Sequence, residues 1–108
     1  MTSEIPTAIP RARLRAIEGR SKGAALTIEG PGSYTVGRGH ESDLQIRDRG
    51  VSREHCLVEF DGEYFWLVDV GSANGTFVNS ERITRYMLYG GDRIRIGKST
   101  MLFERIEQ

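Results

Sequence analysis

The chain is poor in the residue types that usually announce a setting. Its 108 residues include one cysteine, Cys56. That excludes an internal disulfide framework, fits a reducing compartment, and makes a cytoplasmic location the expectation. No run of about 18 apolar residues occurs, so no helical membrane span is expected and no membrane partner is implied. The opening MTSEIPTAIP has neither a basic n-region nor an apolar h-region, so no secretory signal is read there. Neither sign of charge dominates, because 15 Lys+Arg offset 15 Asp+Glu. A general polyanion binder would carry a basic excess, so nucleic acid is not an expected partner. Lysine itself is scarce: Lys22 and Lys98 are the only two, and the other basic residues are arginines. That bias alone reads as codon usage, so position must decide which arginine matters.

What is present is glycine and alternation. The 13 glycines are spread along the whole chain and leave few stretches long enough for three helical turns. Between them, residues alternate in character. Arg11, Arg13 and Arg15 fall on one side of a strand and Ala12, Leu14 and Ala16 on the other, which reads as the solvated face of an edge strand. Residues 24–28, 33–36, 44–46, 56–60, 63–69, 76–78, 93–96 and 100–106 also read as strands. Asp61-Gly62 between two β-rich runs is a hairpin signal of the type I′ kind, and Asn74-Gly75 marks a second turn. Residues 80–91 read as a short helix or an irregular loop. Phe60, Phe65, Trp66 and Val68 are core candidates. The pattern is that of an all-β sandwich or barrel of one domain. Residues 1–10, with Pro6 and Pro10, read as a flexible tail, and residues 11–107 as the domain.

Several chemical motifs are incomplete. Gly37-Arg-Gly-His-Glu-Ser42 lacks the third glycine of a dinucleotide loop and is followed by a short β-like stretch. Gly97-Lys98-Ser99 resembles the end of a P-loop, but the required upstream glycine would stand where Asp92 does. Adjacent His55 and Cys56 would face opposite sides of a strand, which argues against a metal centre. Ser52 and His55 lack a strained elbow and an orienting acid. Neither cofactor nor metal is expected, and the chain reads as a non-enzyme.

Three segments at strand ends carry residues suited to an anion: Val36-Gly37-Arg38, Val51-Ser52-Arg53-Glu54-His55, and the run from Asp69 through Ser72, Ala73, Asn74, Gly75 and Thr76 to Asn79. In this order they resemble the forkhead-associated (FHA) family pattern of Gly-Arg, Ser-x-x-His and Asp-x-x-Ser-x-Asn-Gly-Thr. Leu88-Tyr-Gly-Gly91-Asp92 resembles its closing segment, so the likeness covers residues 11–106. The resemblance implies an FHA-type β-sandwich of about eleven strands with the binding loops at one end. It implies recognition of phosphothreonine in partner proteins, either a Ser/Thr kinase substrate or the kinase itself, as a signalling module. By the family pattern Arg38 faces the phosphate, Ser52 donates its hydroxyl with its amide able to join, and Arg53 contacts peptide or phosphate. Ser72 and Ala73 line the third loop, Asn74 reads the peptide main chain, and Asn79 touches residues after the phosphothreonine. Ala73 departs from relatives that place a hydroxyl there, leaving only its backbone to contribute. Gly37, His55 and Gly75 support the site. A phosphorylated Thr2 or Thr7 in the tail is a further ligand candidate. The alternative is an assembly domain of the same fold that no longer reads phosphate.

Overall fold

A computed structural model describes residues 10–106. The expected tail, with Thr2 and Thr7, lies almost wholly outside the described residues. Eleven strands follow in order: β1 (Ala12–Glu18), β2 (Ala25–Ile28), β3 (Gly32–Gly37), β4 (Leu44–Gln45), β5 (Cys56–Phe60), β6 (Phe65–Asp69), β7 (Thr76–Val78), β8 (Glu81–Ile83), β9 (Arg85–Met87), β10 (Arg93–Ile96) and β11 (Ser99–Arg105). They form a six-stranded sheet, β2-β1-β11-β10-β7-β8, and a five-stranded sheet, β4-β3-β5-β6-β9. The all-β sandwich read from the sequence is the architecture found. Among the described residues no helix is long and apolar enough to cross a membrane.

Alternation builds the core. Leu14, Val58, Leu67, Ile94 and Phe103 are each fully buried, while the residues immediately flanking each of them face outward or lie at the rim. Phe60 and Phe65 stack at 4.2 Å between ring centroids, and Phe65 meets Phe103 edge-on at 5.3 Å. The second contact joins β6 of one sheet to β11 of the other and locks the two layers.

Four local expectations are corrected. First, β1 is not an edge strand, since it pairs with both β2 and β11; Arg15 is held by Glu104 of β11, and Arg11, just before β1, by Glu29, just after β2. Second, Trp66 and Val68 are half-buried on the outer face of β6, where the guanidinium of Arg85 lies 3.9 Å from the Trp66 ring centroid. Third, residues 80–91 carry β8 and β9. Fourth, the two-residue hairpin with both φ positive is Asn79-Ser80 (φ 48° and 78°), not Asp61-Gly62. At the latter, the Asp61 carboxylate accepts the amides of Glu63 and Tyr64, each at 2.8 Å, and widens the turn to four residues.

β3 and β4 run parallel over only two residue pairs, with six residues between them. Asp43 closes that short connection: its carboxylate accepts the amide and hydroxyl of Thr35, and its amide donates back to the Thr35 hydroxyl. Arg38 sits at the start of the connection, directly after β3.

Candidate functional site

Two loops zip together at the ends of β3 and β5. The His55 amide donates to the Val36 carbonyl, the Arg38 amide to Ser52, and the Gly39 amide to Arg53, at 3.1, 3.0 and 3.1 Å. Gly37 stands between the first two of these bonds. A side chain there would place its Cβ 2.1 Å from the Arg53 carbonyl oxygen, so only glycine allows the loops to approach so closely.

The third loop joins through segment 50–52. Asn74 Nδ2 donates to the Gly50 carbonyl at 2.9 Å, Arg38 Nε to the Val51 carbonyl at 2.9 Å, and the Ala73 amide to Ser52 Oγ at 3.0 Å. Three consecutive residues thus gather one group from the first loop, Arg38, and two from the third, Asn74 and Ala73. Anchoring Arg38 by Nε leaves the four N–H bonds of its terminal nitrogens to face solvent. Ser52 Oγ accepts from Ala73 and keeps its own proton to donate. Asn74 retains its carbonyl oxygen and one N–H. Arg53 is exposed, and its aliphatic stem covers Gly39. It shares a cavity of about 240 Å3 with Arg38.

His55 lies beneath, fully buried. The Ser52 amide donates to its Nδ1 at 3.0 Å, so the ring proton is on Nε2 and is donated to the Gly75 carbonyl at 2.9 Å. This neutral tautomer ties the second loop to the third. It also engages the Ser52 amide, which is therefore not available to an anion, contrary to expectation.

Asp69 organises the third loop. Its carboxylate accepts the Gly71 and Ser72 amides and the Ser72 and Thr76 hydroxyls, at 2.8, 2.9, 2.6 and 2.7 Å. Burial alone would raise the Asp69 carboxyl, but these bonds outweigh it and hold the group at about 2. Next to it, burial and then the Asp69 charge push the Cys56 thiol up to about 12.

Two expected contact residues do not join the site. Ser72 donates its single hydroxyl proton to Asp69 and accepts the Gly75 amide, so it holds the loop rather than offering a donor. Asn79 sits at the far end of β7, three residues past Thr76 or about 10 Å of extended chain. Its amide group is engaged by Asp92 and the Arg93 amide at the start of β10. Ala73 has its amide committed to Ser52, so it orients that hydroxyl. Gly75 takes φ 95°, a backbone that favours glycine.

Sequence reasoning missed Asp48 and the arginines around it. The Asp48 carboxylate accepts the amides of Gly50 and Lys98 and the Ser99 hydroxyl, pinning the loop before Ser52 to the β10–β11 turn. An Asp-x-Gly turn was the signal available for it in the sequence.

The FHA domain family model matches residues 34–97, more than half of the chain. The chain belongs to the FHA domain family. FHA relatives include the FHA domain-containing protein FhaA of Mycobacterium tuberculosis, 39% identical over 66% of this chain and 14% of FhaA. The glycogen accumulation regulator GarA of Mycolicibacterium smegmatis is 36% identical over 81% of this chain and 63% of GarA. The oxoglutarate dehydrogenase inhibitor of Corynebacterium efficiens is 41% identical over 79% of this chain and 59% of the inhibitor. The chain thus spans less than two thirds of each of these relatives. Among solved structures, one from a structural and functional analysis of phosphothreonine-dependent FHA domain interactions superposes with TM-score 0.82 at 31% identity, covering 91% of this chain and 99% of that one. The FHA domain of FhaA, complexed with the intracellular domain of Rv3910, gives TM-score 0.75 at 33% identity over 86% of this chain and 99% of that one.

Two predictions follow from this network. His55→Ala leaves the Ser52 amide and Gly75 carbonyl unmet in a buried place and costs about 2–3 kcal/mol of stability, measured by urea unfolding; an unchanged midpoint would remove His55 from its structural role. For Asp69 the folded value lies below the unfolded one of about 3.9, so its contribution is complete above that unfolded value and is lost as pH falls through about 2. Melting temperature against pH should therefore fall more steeply between about 4 and 2 in the parent chain than in Asp69→Asn, which starts lower at neutral pH. Parallel acid limbs would show that Asp69 carries no such linkage.

Proposed function

We propose that this FHA domain binds an extended peptide segment of a partner protein through a phosphothreonine and performs no catalysis. One observation carries the reading: the Arg38 guanidinium is fixed through Nε to the carbonyl of Val51, the residue before Ser52, which leaves its terminal nitrogens free, and the Ser52 hydroxyl still has its proton to give. A phosphothreonine brings roughly −1.5 to −2 charges at neutral pH and three acceptor oxygens. A guanidinium fork held in place meets two of those oxygens at once, and the hydroxyl takes another. Asn74, with one donor and one acceptor left, suits the peptide backbone beside the phosphate. Arg53, on the other wall of the Arg38 cavity, contacts the phosphate or the residues next to it. Relatives named as a regulator and as an enzyme inhibitor, and a solved FHA domain complexed with a partner's intracellular domain, support a role in phosphorylation-dependent association. The phosphorylated partner is a Ser/Thr kinase or a substrate of one.

Titration of the chain with a phosphothreonine peptide from an oriented library tests this directly. Arg38→Ala should abolish binding while circular dichroism stays native, because the side chain is exposed and only one of its bonds is to the fold. Retained affinity in a folded Arg38→Ala variant would refute the site. A matched phosphoserine peptide should bind roughly tenfold or more weakly, the usual penalty for one missing methyl at an apolar contact. Equal affinity would mean that no part of the surface receives the threonine methyl.

A further inference from the structure

Arg38 has a second flank. On it the loops border an open hollow of about 350 Å3 lined by Arg38 with Arg20, Arg47 and Arg49. The same arginines, Arg20 and Arg49, border an adjoining hollow of about 570 Å3 that reaches Gly50 and Lys98. These cations come from separate parts of the chain and are drawn together by backbone bonds. The Arg47 amide donates to Ser21 Oγ at 2.8 Å, bringing the β1–β2 turn and Arg20 alongside. The Lys98 amide donates to Asp48 at 2.8 Å, bringing in the β10–β11 turn.

Asp48 is the one carboxylate lining either hollow. Its oxygens are already taken by two amides and a hydroxyl. Among the described residues, Arg20, Arg47 and Arg49 have no carboxylate within ion-pair distance. Elsewhere Arg11 and Arg15 are matched by glutamates and Arg85 and Arg95 by aromatic rings, while Arg13, Arg53, Arg82 and Arg93 stand without an ion pair among the described residues; what sets this place apart is that four guanidinium groups line one hollow. In a chain with no net charge, four exposed guanidinium groups against one carboxylate leave a local positive excess that a further anion would offset. The flank of Arg38 that holds Arg53 differs in its balance, since there one carboxylate, Glu41, meets two guanidinium groups instead of four.

We propose that this basic hollow receives a second phosphoryl group, carried on the same peptide a few residues from the phosphothreonine. The inference rests on the Arg38 reading and deepens it. Several forks around one hollow suit a group with two charges and three acceptor oxygens; a carboxylate, with one charge and two oxygens, fills one fork. The domain then answers to double phosphorylation, with the first mark read by Arg38 and Ser52 and the second by Arg20, Arg47 and Arg49.

Three synthetic peptides of one sequence test this: phosphothreonine alone, phosphothreonine with a phosphoserine two to four residues away on either side, and phosphothreonine with glutamate in place of that phosphoserine. Calorimetry at low salt should show the doubly phosphorylated peptide binding about tenfold or more tightly than the singly phosphorylated one, the scale of one or two charge-assisted hydrogen bonds. The glutamate peptide should gain less, and both gains should shrink as salt rises. The Arg47→Gln, Arg49→Gln double variant should lose the gain while binding the singly phosphorylated peptide as the parent does. Equal affinity for one and two phosphates, a gain that survives in the double variant, or a glutamate peptide that matches the phosphoserine one would each overturn the inference and leave the Arg38 reading standing. If even the singly phosphorylated library peptides fail to bind, that reading falls and the inference with it.

Discussion

A neutral imidazole shut away from solvent holds the loop end of this sandwich together. His55 is fully buried and each ring nitrogen has a partner, so the desolvation of a polar ring is met at both ends. Because it accepts from Ser52 and donates to Gly75, it works as a strut of fixed length between two loops that have no strand pairing with each other. Segment 50–52 can then present a carbonyl to Asn74, another to Arg38 and a hydroxyl to Ala73, in that order. None of these bonds is strong singly, and each depends on the others for its geometry. The aromatic contact across the layers supplies the rigid base, since β6 and β11, which it joins, lie in different sheets.

Hydrogen counting separates residues that look alike in sequence. Ser52 and Ser72 are both serines in loops of the same site. Ser72 gives its proton to a carboxylate held ionised down to about 2, and so stabilises the loop from within. Ser52 Oγ only accepts, so its proton has no acceptor among the described residues and is left to donate. Asn74 and Asn79 divide the same way: one amide group is half engaged beside the arginine, the other is committed at both ends to the start of β10. A pattern of residue types cannot carry that distinction, because it is fixed by which acceptor lies within about 3 Å once the chain has folded.

The strands were the most legible part, and the reason is periodicity. Cys56–Phe60, Thr76–Val78 and Arg93–Ile96 alternate cleanly, and their bounds agree with the sequence reading. Legibility failed where the period gave no direction. Along residues 65–68 every position is apolar, so alternation could not say which pair faced inward; Phe65 and Leu67 did, and Trp66 took the outer face against Arg85. The turns failed for another reason. Asp-Gly carries a strong local preference for positive φ at both residues, yet the Asp61 side chain caps the next amides and draws a longer loop. Asn79-Ser80 carries a weaker preference and adopts the tight turn all the same, because Asn79 is bracketed by Asp92 and Arg93. Tertiary bonds outweighed propensity in both. The main residues of the loop site were visible as a family pattern, whereas the basic hollow was not, since its members lie on segments that only folding brings together.

Zero net charge and a concentrated basic end are two halves of one design. A globally basic domain would attract any polyanion at long range, and selectivity would have to be recovered by contact alone. Here the fifteen acidic residues cancel the fifteen basic ones at a distance, where salt screens the remainder beyond about 8 Å at physiological ionic strength. Within that distance the cancellation is incomplete at Arg20, Arg38, Arg47 and Arg49, because the one carboxylate that lines their hollow, Asp48, sets a single negative charge against four guanidinium groups. An anion therefore gains from this surface only after it has docked within reach of the forks. Attraction that begins at contact favours ligands whose phosphates sit where the loops expect them, and it makes the spacing of charge along a peptide, rather than its total, the quantity this end of the sandwich can measure.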